Sequence, residues 1–400
     1  ELGVTGEAGR EREGRRGFDA GSGPFGRPVS TRLRPTAPSE RLLQLDVLRG
    51  LALFGVLIVN LGVFSGSDLA VEVHVPFPMG WGGAALAFLR DVLLESKAAA
   101  LLAMLFGAGL AIQCEHATER GVAYLPFALR RSGALALIGL AHTFLLWNID
   151  ILLDYAIISL LLLPFMRLRG GRILWAIPAL IVVTLLLALP ALRIPEGPEQ
   201  SSLSFAMQQQ HYGAGSWLDA LRFRAWEFVH SVGPQRLANR LPILTPFFIL
   251  GAYFWRKGFL AEPDRHLPAL RRLFLACFIL GLLSNLIPQD RLRAAVAVLP
   301  FQPLRILIKA TAFLARPALT IGYMAGILLL IRGAHGRRVL GVFAPLGRMA
   351  LTQYLLQSVF CTLVFNGYGL GLYGKVPMNL CILGGVAAFA LQVWTSRLWL

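Results

Sequence analysis

The stretch Leu51-Ala52-Leu53-Phe54-Gly55-Val56-Leu57-Ile58-Val59-Asn60-Leu61-Gly62-Val63-Phe64 carries a single polar side chain, Asn60. With Leu48-Arg49-Gly50 before it and Ser65-Gly66 after it, the run covers 48–66, close to the roughly 20 residues that a helix needs to cross a bilayer. Comparable runs follow at 97–115, 131–148, 150–167, 172–192, 240–257, 270–288, 311–332, 347–366 and 376–396. The chain is therefore expected to be all-α, a polytopic transmembrane helix bundle of about ten crossings. Between the first two runs, 82–95 sets Arg90, Asp91 and Glu95 among Leu and Ala. It reads as an amphipathic helix that lies at the interface or enters the bundle.

Composition points the same way. Of the 400 residues, 56% are hydrophobic and 15% charged, where a soluble domain carries about 25% charged residues. Two or three soluble domains could not be covered with so little polar surface, and a chain disordered throughout would not be so apolar. Cys114, Cys277, Cys361 and Cys381 fall in or beside apolar runs, with no CxxC pair and no His at zinc spacing. They read as small buried hydrophobes, and no metal is expected.

Residues 1–40, rich in Gly, Arg, Pro and Ser and without periodicity, are expected to be a disordered cytoplasmic tail or a mis-assigned start. Residues 41–400 then form one transmembrane domain. Arginine and lysine gather in the loops near 120–131, 167–172, 256–272 and 332–338, whereas 67–81 and 148–150 have none. Cytoplasmic loops are the basic ones, so both termini are expected in the cytoplasm and 193–239 becomes the main extracytoplasmic segment. The formal net charge of +16 is then a matter of topology and anionic lipid contact, and no nucleic acid is expected as a partner.

An ionisable group inside a bilayer costs about 2.5–3.5 kcal/mol on insertion scales, so each one is a candidate for function. Asp46 and Arg49 share a helix face at i,i+3 and can pair, either as a structural pair or as part of a site for an anionic donor. Asn60 cannot face lipid comfortably and is expected to point inward. His142 falls beyond the bilayer midplane, about eleven residues past Arg131, and imidazole can take and return a proton near neutral pH. Asp150 and Asp154 lie on one face at the start of the next crossing, where a helix N-terminus favours carboxylates. In a continuous helix Asp150 would stand about 12 Å from His142. A turn at Trp147-Asn148 would let it hold the ring as the third member of a triad holds its base. Lys97 opens the second crossing at the extracytoplasmic level, as an interfacial group or a substrate contact. In the ninth crossing Arg348, Thr352, Gln353, Gln357 and Ser358 form a polar sector, with Gln353 and Gln357 on one face and Tyr354 and Ser358 on an adjacent one. Phe106-Gly107-Ala108-Gly109 is a small-residue patch for close helix contact. The glycine-rich 367–375, with Tyr368 and Tyr373, reads as a flexible loop with aromatic interface groups.

Leu45-Asp46-Val47-Leu48-Arg49-Gly50 with Asn60, Leu105 to Gly109, Gly139 to Tyr155, and Gly347 to Ser358 resemble the bacterial YeiB family, polytopic membrane proteins defined by a domain of unknown function. The opening stretch also looks like the start of the heparan-alpha-glucosaminide N-acetyltransferases, within a membrane acyltransferase superfamily. What the resemblance implies is an acyltransferase that moves an acyl group, acetyl first among them, from cytoplasmic acyl-CoA to an extracytoplasmic glycan or lipid-linked acceptor. His142 and Asp150 would be catalytic. Arg49, Arg130, Arg131 and Arg348 would hold the donor's phosphates, and Lys97, Asp154, Asn60, Gln353 and Gln357 would line the substrate pocket. Acyl-CoA would be the donor, with no metal. The partners would be membrane lipids, the acceptor and, in a homodimer, a second copy of the chain, in the bacterial cytoplasmic membrane. The family usually has Gly where Ile149 stands and Asn where Gln353 stands. Its Gly-Pro…Glu-Trp…Trp-Arg ending does not follow the last crossing here, so groups that contribute to the cytoplasmic site are expected to be missing. A proton-coupled transporter or flippase working through Lys97, His142 and Asp150, and a non-catalytic membrane scaffold, are the alternatives that the residues leave open.

Overall fold

The computed structural model describes residues 42–72, 75–168, 170–188, 205–233, 236, 240–287 and 318–400. The 1–40 tail, the first part of the 193–239 segment and the start of the eighth expected crossing lie outside the described residues. All regular secondary structure among the described residues is helical.

In chain order the helices are α1 (Leu43–Phe64), α2 (Ser67–Glu72), α3 (Gly83–Leu93), α4 (Lys97–Glu119), α5 (Tyr124–Leu145), α6 (Leu152–Leu162) and α7 (Ala176–Ala188). They continue with α8 (Trp217–Glu227), α9 (Leu241–Arg256), α10 (Leu267–Leu286), α11 (Ala318–Ile331), α12 (Ala334–Leu340), α13 (Ala344–Arg348), α14 (Ala350–Phe365) and α15 (Met378–Trp399). Helix is present in each of the ten apolar runs read from the sequence. Among the described residues, four stretches are long and apolar enough to cross a membrane: α1, Gly83–Glu119, Pro263–Leu286 and α15. A fifth is added if α11 and Ala334–Arg348, bent by 119°, count as one broken span.

α1 is the axis of the bundle. Two thirds of its apolar window is buried (67%), against 11% for the span that contains α10, so one helix is core and the other presents its side chains outward. α4, α13, α14 and α15 all pack on α1. α4 crosses α9 at reciprocal glycines: a Cβ on Gly107 would lie 1.9 Å from Phe248 O, and one on Gly251 would lie 1.8 Å from Met104 O. Any side chain there would separate the helices. Of the small-residue patch, Gly107 makes this contact, while Gly109 has open space around it.

The 82–95 stretch enters the bundle as α3, which packs on α1, α10 and α15, because the buried Arg90 finds carboxylates at Asp68 and Asp91. The 367–375 loop is tied to the bundle by its own hydrogen bonds. Tyr373 is fully buried and donates to Gln208 Oε1 at 2.6 Å, while Gly367 N donates to Tyr212 O at 2.7 Å. The 205–233 segment folds over this end of the bundle, and the rings fill the space beneath it.

Candidate functional site

The site is built where α5 ends. The carbonyl of His142 accepts from Leu146 N (3.0 Å) and Trp147 N (2.8 Å), which closes the last turn, and the chain then reverses over 146–151. Asp150 Oδ2 accepts from Leu153 N at 2.8 Å, satisfying one of the free amides that open α6. α6 returns along α5 at close range because Gly139 has no side chain: a Cβ there would lie 2.6 Å from Leu153 N.

The reversal replaces the helical separation of His142 and Asp150 with contact. His142 Nδ1 lies 3.2 Å from Asp150 Oδ1, in an approach oblique to a straight hydrogen bond. His142 Nε2 lies 2.8 Å from Ser358 Oγ on α14. One turn before Ser358, Tyr354 stacks on the imidazole with centroids 5.2 Å apart and donates its hydroxyl to Asp150 Oδ1 at 3.3 Å. His142, Asp150, Tyr354 and Ser358 are all buried. A carboxylate beside Nδ1 favours the tautomer whose proton sits there, and Nε2 is left as an acceptor.

Asp154, fully buried one turn further on, is held differently. Arg236 Nη1 and Arg240 Nη2 each approach one of its oxygens at 3.0 Å. Asp154, one of the residues expected to line the pocket, thus stands in an ion-pair cluster. Arg236 also donates to Asn148 O at 3.2 Å. Arg224, fully buried, donates to Leu145 O at 2.9 Å and Phe144 O at 3.3 Å, covering carbonyls that the end of α5 leaves free. Glu227 accepts from Asn148 Nδ2, from Tyr212 hydroxyl at 2.5 Å and from Gln208 Nε2 at 2.9 Å. Burial pushes its carboxyl up to about 6, against the pull of those donors and of Arg224. Four charged side chains, Arg224, Glu227, Arg236 and Arg240, thus cover the joint. The sequence reading assigned none of them to the site, although charged residues so dense in a segment between apolar runs were a visible sign.

A second cluster lies at the other end of α1. Asp46 Oδ1 is 3.1 Å from Arg49 Nη1, and Asp46 Oδ2 is 3.8 Å from Arg348 Nε. Arg131 covers the Phe106 ring at 4.3 Å, close enough to Arg49 for the two charges to repel, and its buried Nη1 has no hydrogen-bond partner among the described residues. Arg130 is exposed and does not join this cluster. Arg131 and His142 are separated by about 16 Å of helix.

The remaining candidates are dispersed. Lys97 Nζ donates to Asp91 O at 2.8 Å, at the break between α3 and α4. Gly55 of α1 packs against Ala98, so Lys97 sits beside the middle of α1. Asn60 is half-buried. Gln353 Nε2 donates to Ser396 Oγ and Gln357 Nε2 to Gln392 Oε1, both at 2.9 Å. One face of α14 therefore packs on α15 while the adjacent face, with Tyr354 and Ser358, meets the imidazole.

Residues 254–400 match a family described as "Protein of unknown function (DUF418)". The uncharacterized protein YxaH of Bacillus subtilis (strain 168) is 32% identical over 385 residues, covering 92% of each chain. The uncharacterized protein YeiB of Escherichia coli (strain K12) is 28% identical over 377 residues, covering 90% of each. The chain belongs to the YeiB/DUF418 family. An uncharacterized 39.9 kDa protein in the amylase 3′ region of Bacillus acidopullulyticus is also similar, 26% identical over 374 residues. In this YeiB-family chain the matched DUF418 segment contributes Arg348, Tyr354 and Ser358, whereas His142, Asp150 and Asp154 precede it. The site is thus shared between the DUF418 segment and the chain before it.

Proposed function

We propose that this YeiB-family chain is a multi-pass acyltransferase of the bacterial cytoplasmic membrane, with about ten crossings and both termini in the cytoplasm. It moves an acyl group, acetyl in the first instance, from cytoplasmic acyl-CoA to a hydroxyl or amine of an extracytoplasmic glycan or lipid-linked acceptor. The observation that carries this reading is the buried His142 with Asp150 beside Nδ1 and a hydroxyl on Nε2, the arrangement of a general base. In support, Arg49, Arg131 and Arg348 form a cationic end about 16 Å away along α5, and guanidinium forks suit phosphate. The proton of the group that attacks the acyl carbon passes to His142 Nε2. The carbon–sulfur bond breaks, and the thiolate leaves with that proton.

The test is calorimetry of purified protein with acetyl-CoA, joined to an assay of free CoA thiol. Binding that weakens in Arg131→Ala, with thiol release lost in His142→Ala, is expected. Absence of binding, together with a His142→Ala strain indistinguishable from wild type, would overturn the reading.

A second reading draws on the interrupted Gly83–Glu119 span, where Arg90, Asp91 and Lys97 cluster at the break, since broken helices build transporter sites. Proteoliposomes would then show flux driven by a pH gradient and abolished in Lys97→Ala.

A further inference from the structure

His142 Nε2 is already engaged, and its partner is a nucleophile. The ordinary use of a serine hydroxyl inside a helix is a bond back to the carbonyl one turn earlier. Ser358 Oγ keeps only a long contact of that kind, 3.4 Å to Tyr354 O, while it stands 2.8 Å from Nε2. A hydroxyl has one proton to donate, and the shorter contact takes it. Three other observations fix the acceptor. Asp150 lies beside Nδ1, the Asp150 carboxylate is itself held by Leu153 N and the Tyr354 hydroxyl, and the Tyr354 ring stacks on the imidazole and limits its rotation. The result is an acid–imidazole–hydroxyl relay drawn from α5, the 146–151 joint and α14. Such a constellation is recognised by geometry and roles, whatever the fold or chain order.

We propose that Ser358 is the residue that carries the acyl group, so that transfer proceeds in two steps through a serine ester; this rests on the acyltransferase reading above. In the first step Ser358 Oγ bonds to the carbonyl carbon of acyl-CoA and its proton passes to His142 Nε2. The carbon–sulfur bond breaks, and CoA leaves as the thiol with that proton. In the second step the acceptor's hydroxyl or amine gives its proton to Nε2 and bonds to the same carbon. The ester bond to Oγ breaks, and Ser358 recovers the proton. Nothing is oxidised or reduced. The relay suits a donor and an acceptor on opposite faces, because only the acyl group has to reach the joint between them. Ser358, 2% exposed, is also placed where an ester would be shielded from water, as a transferase requires and a hydrolase does not.

The full chain in nanodiscs, mixed with radiolabelled acetyl-CoA, is expected to release one burst of CoA thiol and to retain label on the Ser358 peptide. Ser358→Ala should carry no label and lose turnover on the order of 10⁴-fold. Ser358→Cys, which keeps a nucleophile, should trap a thioester that hydroxylamine cleaves. A fluorophosphonate probe should label Ser358 in wild type and not in His142→Ala. If acetyl-CoA is consumed with no label on Ser358 and Ser358→Ala turns over within about twofold of wild type, transfer is direct; the serine step is overturned and the acyltransferase reading stands. If wild type consumes no acetyl-CoA, both fall.

Discussion

Two joints in the bundle carry charge, and they are resolved in opposite ways. At 94–96, α3 runs on into α4 and the charges find partners nearby. Lys97 donates to Asp91 O six residues back, and Arg90 pairs with the adjacent Asp91 and with Asp68, 22 residues away. At 146–151 the chain reverses, and the partners are remote: Asn148 with Glu227, 79 residues on, Asp150 with Tyr354, 204 on, and His142 with Ser358, 216 on. The ion pairs of the first joint are close in sequence, and a remote hydroxyl joins them there, Tyr323 donating to Leu93 O at 2.9 Å. The second exists only when α8, α14 and the 236–240 arginines are in place, so its polar groups stand or fall together. A site that must hold a base and a nucleophile away from water is expected at the joint of the second kind.

That contrast can be broken at several points. Asp154→Ala would leave Arg236 and Arg240 buried without their shared carboxylate, and a cost of about 3–5 kcal/mol is expected. The readout is a collapse of the monodisperse fraction in detergent and a sharply lower Tm. Gly139→Val would drive a side chain into the backbone of α6, 2.6 Å from Leu153 N at the Cβ alone. About 1–3 kcal/mol should be lost, whereas Gly109→Ala, which meets nothing, should be neutral or stabilising by at most about 1 kcal/mol.

Glu227 sharpens the comparison through pH. Its carboxyl is raised from 4.5 to about 6 in the folded chain, so the folded state holds the proton more tightly than the unfolded one. The resulting stabilisation is complete below pH 4.5 and is lost as pH rises through 6, about 2 kcal/mol across that window. Thermal unfolding of Glu227→Gln against wild type between pH 4.5 and 7 should show this dependence removed. The smallest effect belongs to the local joint. Asp68→Asn leaves Arg90 with Asp91 and should cost about 1 kcal/mol or less, a Tm shift near the limit of detection.

Much of the helical pattern was legible because apolar runs report burial or lipid directly, residue by residue. The same holds for α14, where i,i+4 spacing correctly divided Gln353 and Gln357 from Tyr354 and Ser358. The contact of Lys97 with Asp91 O was not legible, because a backbone acceptor freed at a break between two helices leaves no mark in the local pattern. The cover over the joint was missed for a related reason: Arg224, Glu227, Arg236 and Arg240 look like an ordinary solvated segment, and nothing local shows that they fold inward onto Asn148 and Asp154.

The sequence by itself determined an all-helical chain, its long apolar helices, and the presence of a few ionisable groups within them, since hydropathy and helical period are properties of neighbouring residues. Tertiary structure decided which of those groups meet. His142 and Asp150 would be about 12 Å apart along a helix and lie 3.2 Å apart across the reversal, because Gly139 lets α6 close on α5 and Arg224, Arg236 and Glu227 satisfy the backbone and side chains that the turn exposes. Contacts between residues hundreds of positions apart depend on packing geometry, and that is not written in any local pattern.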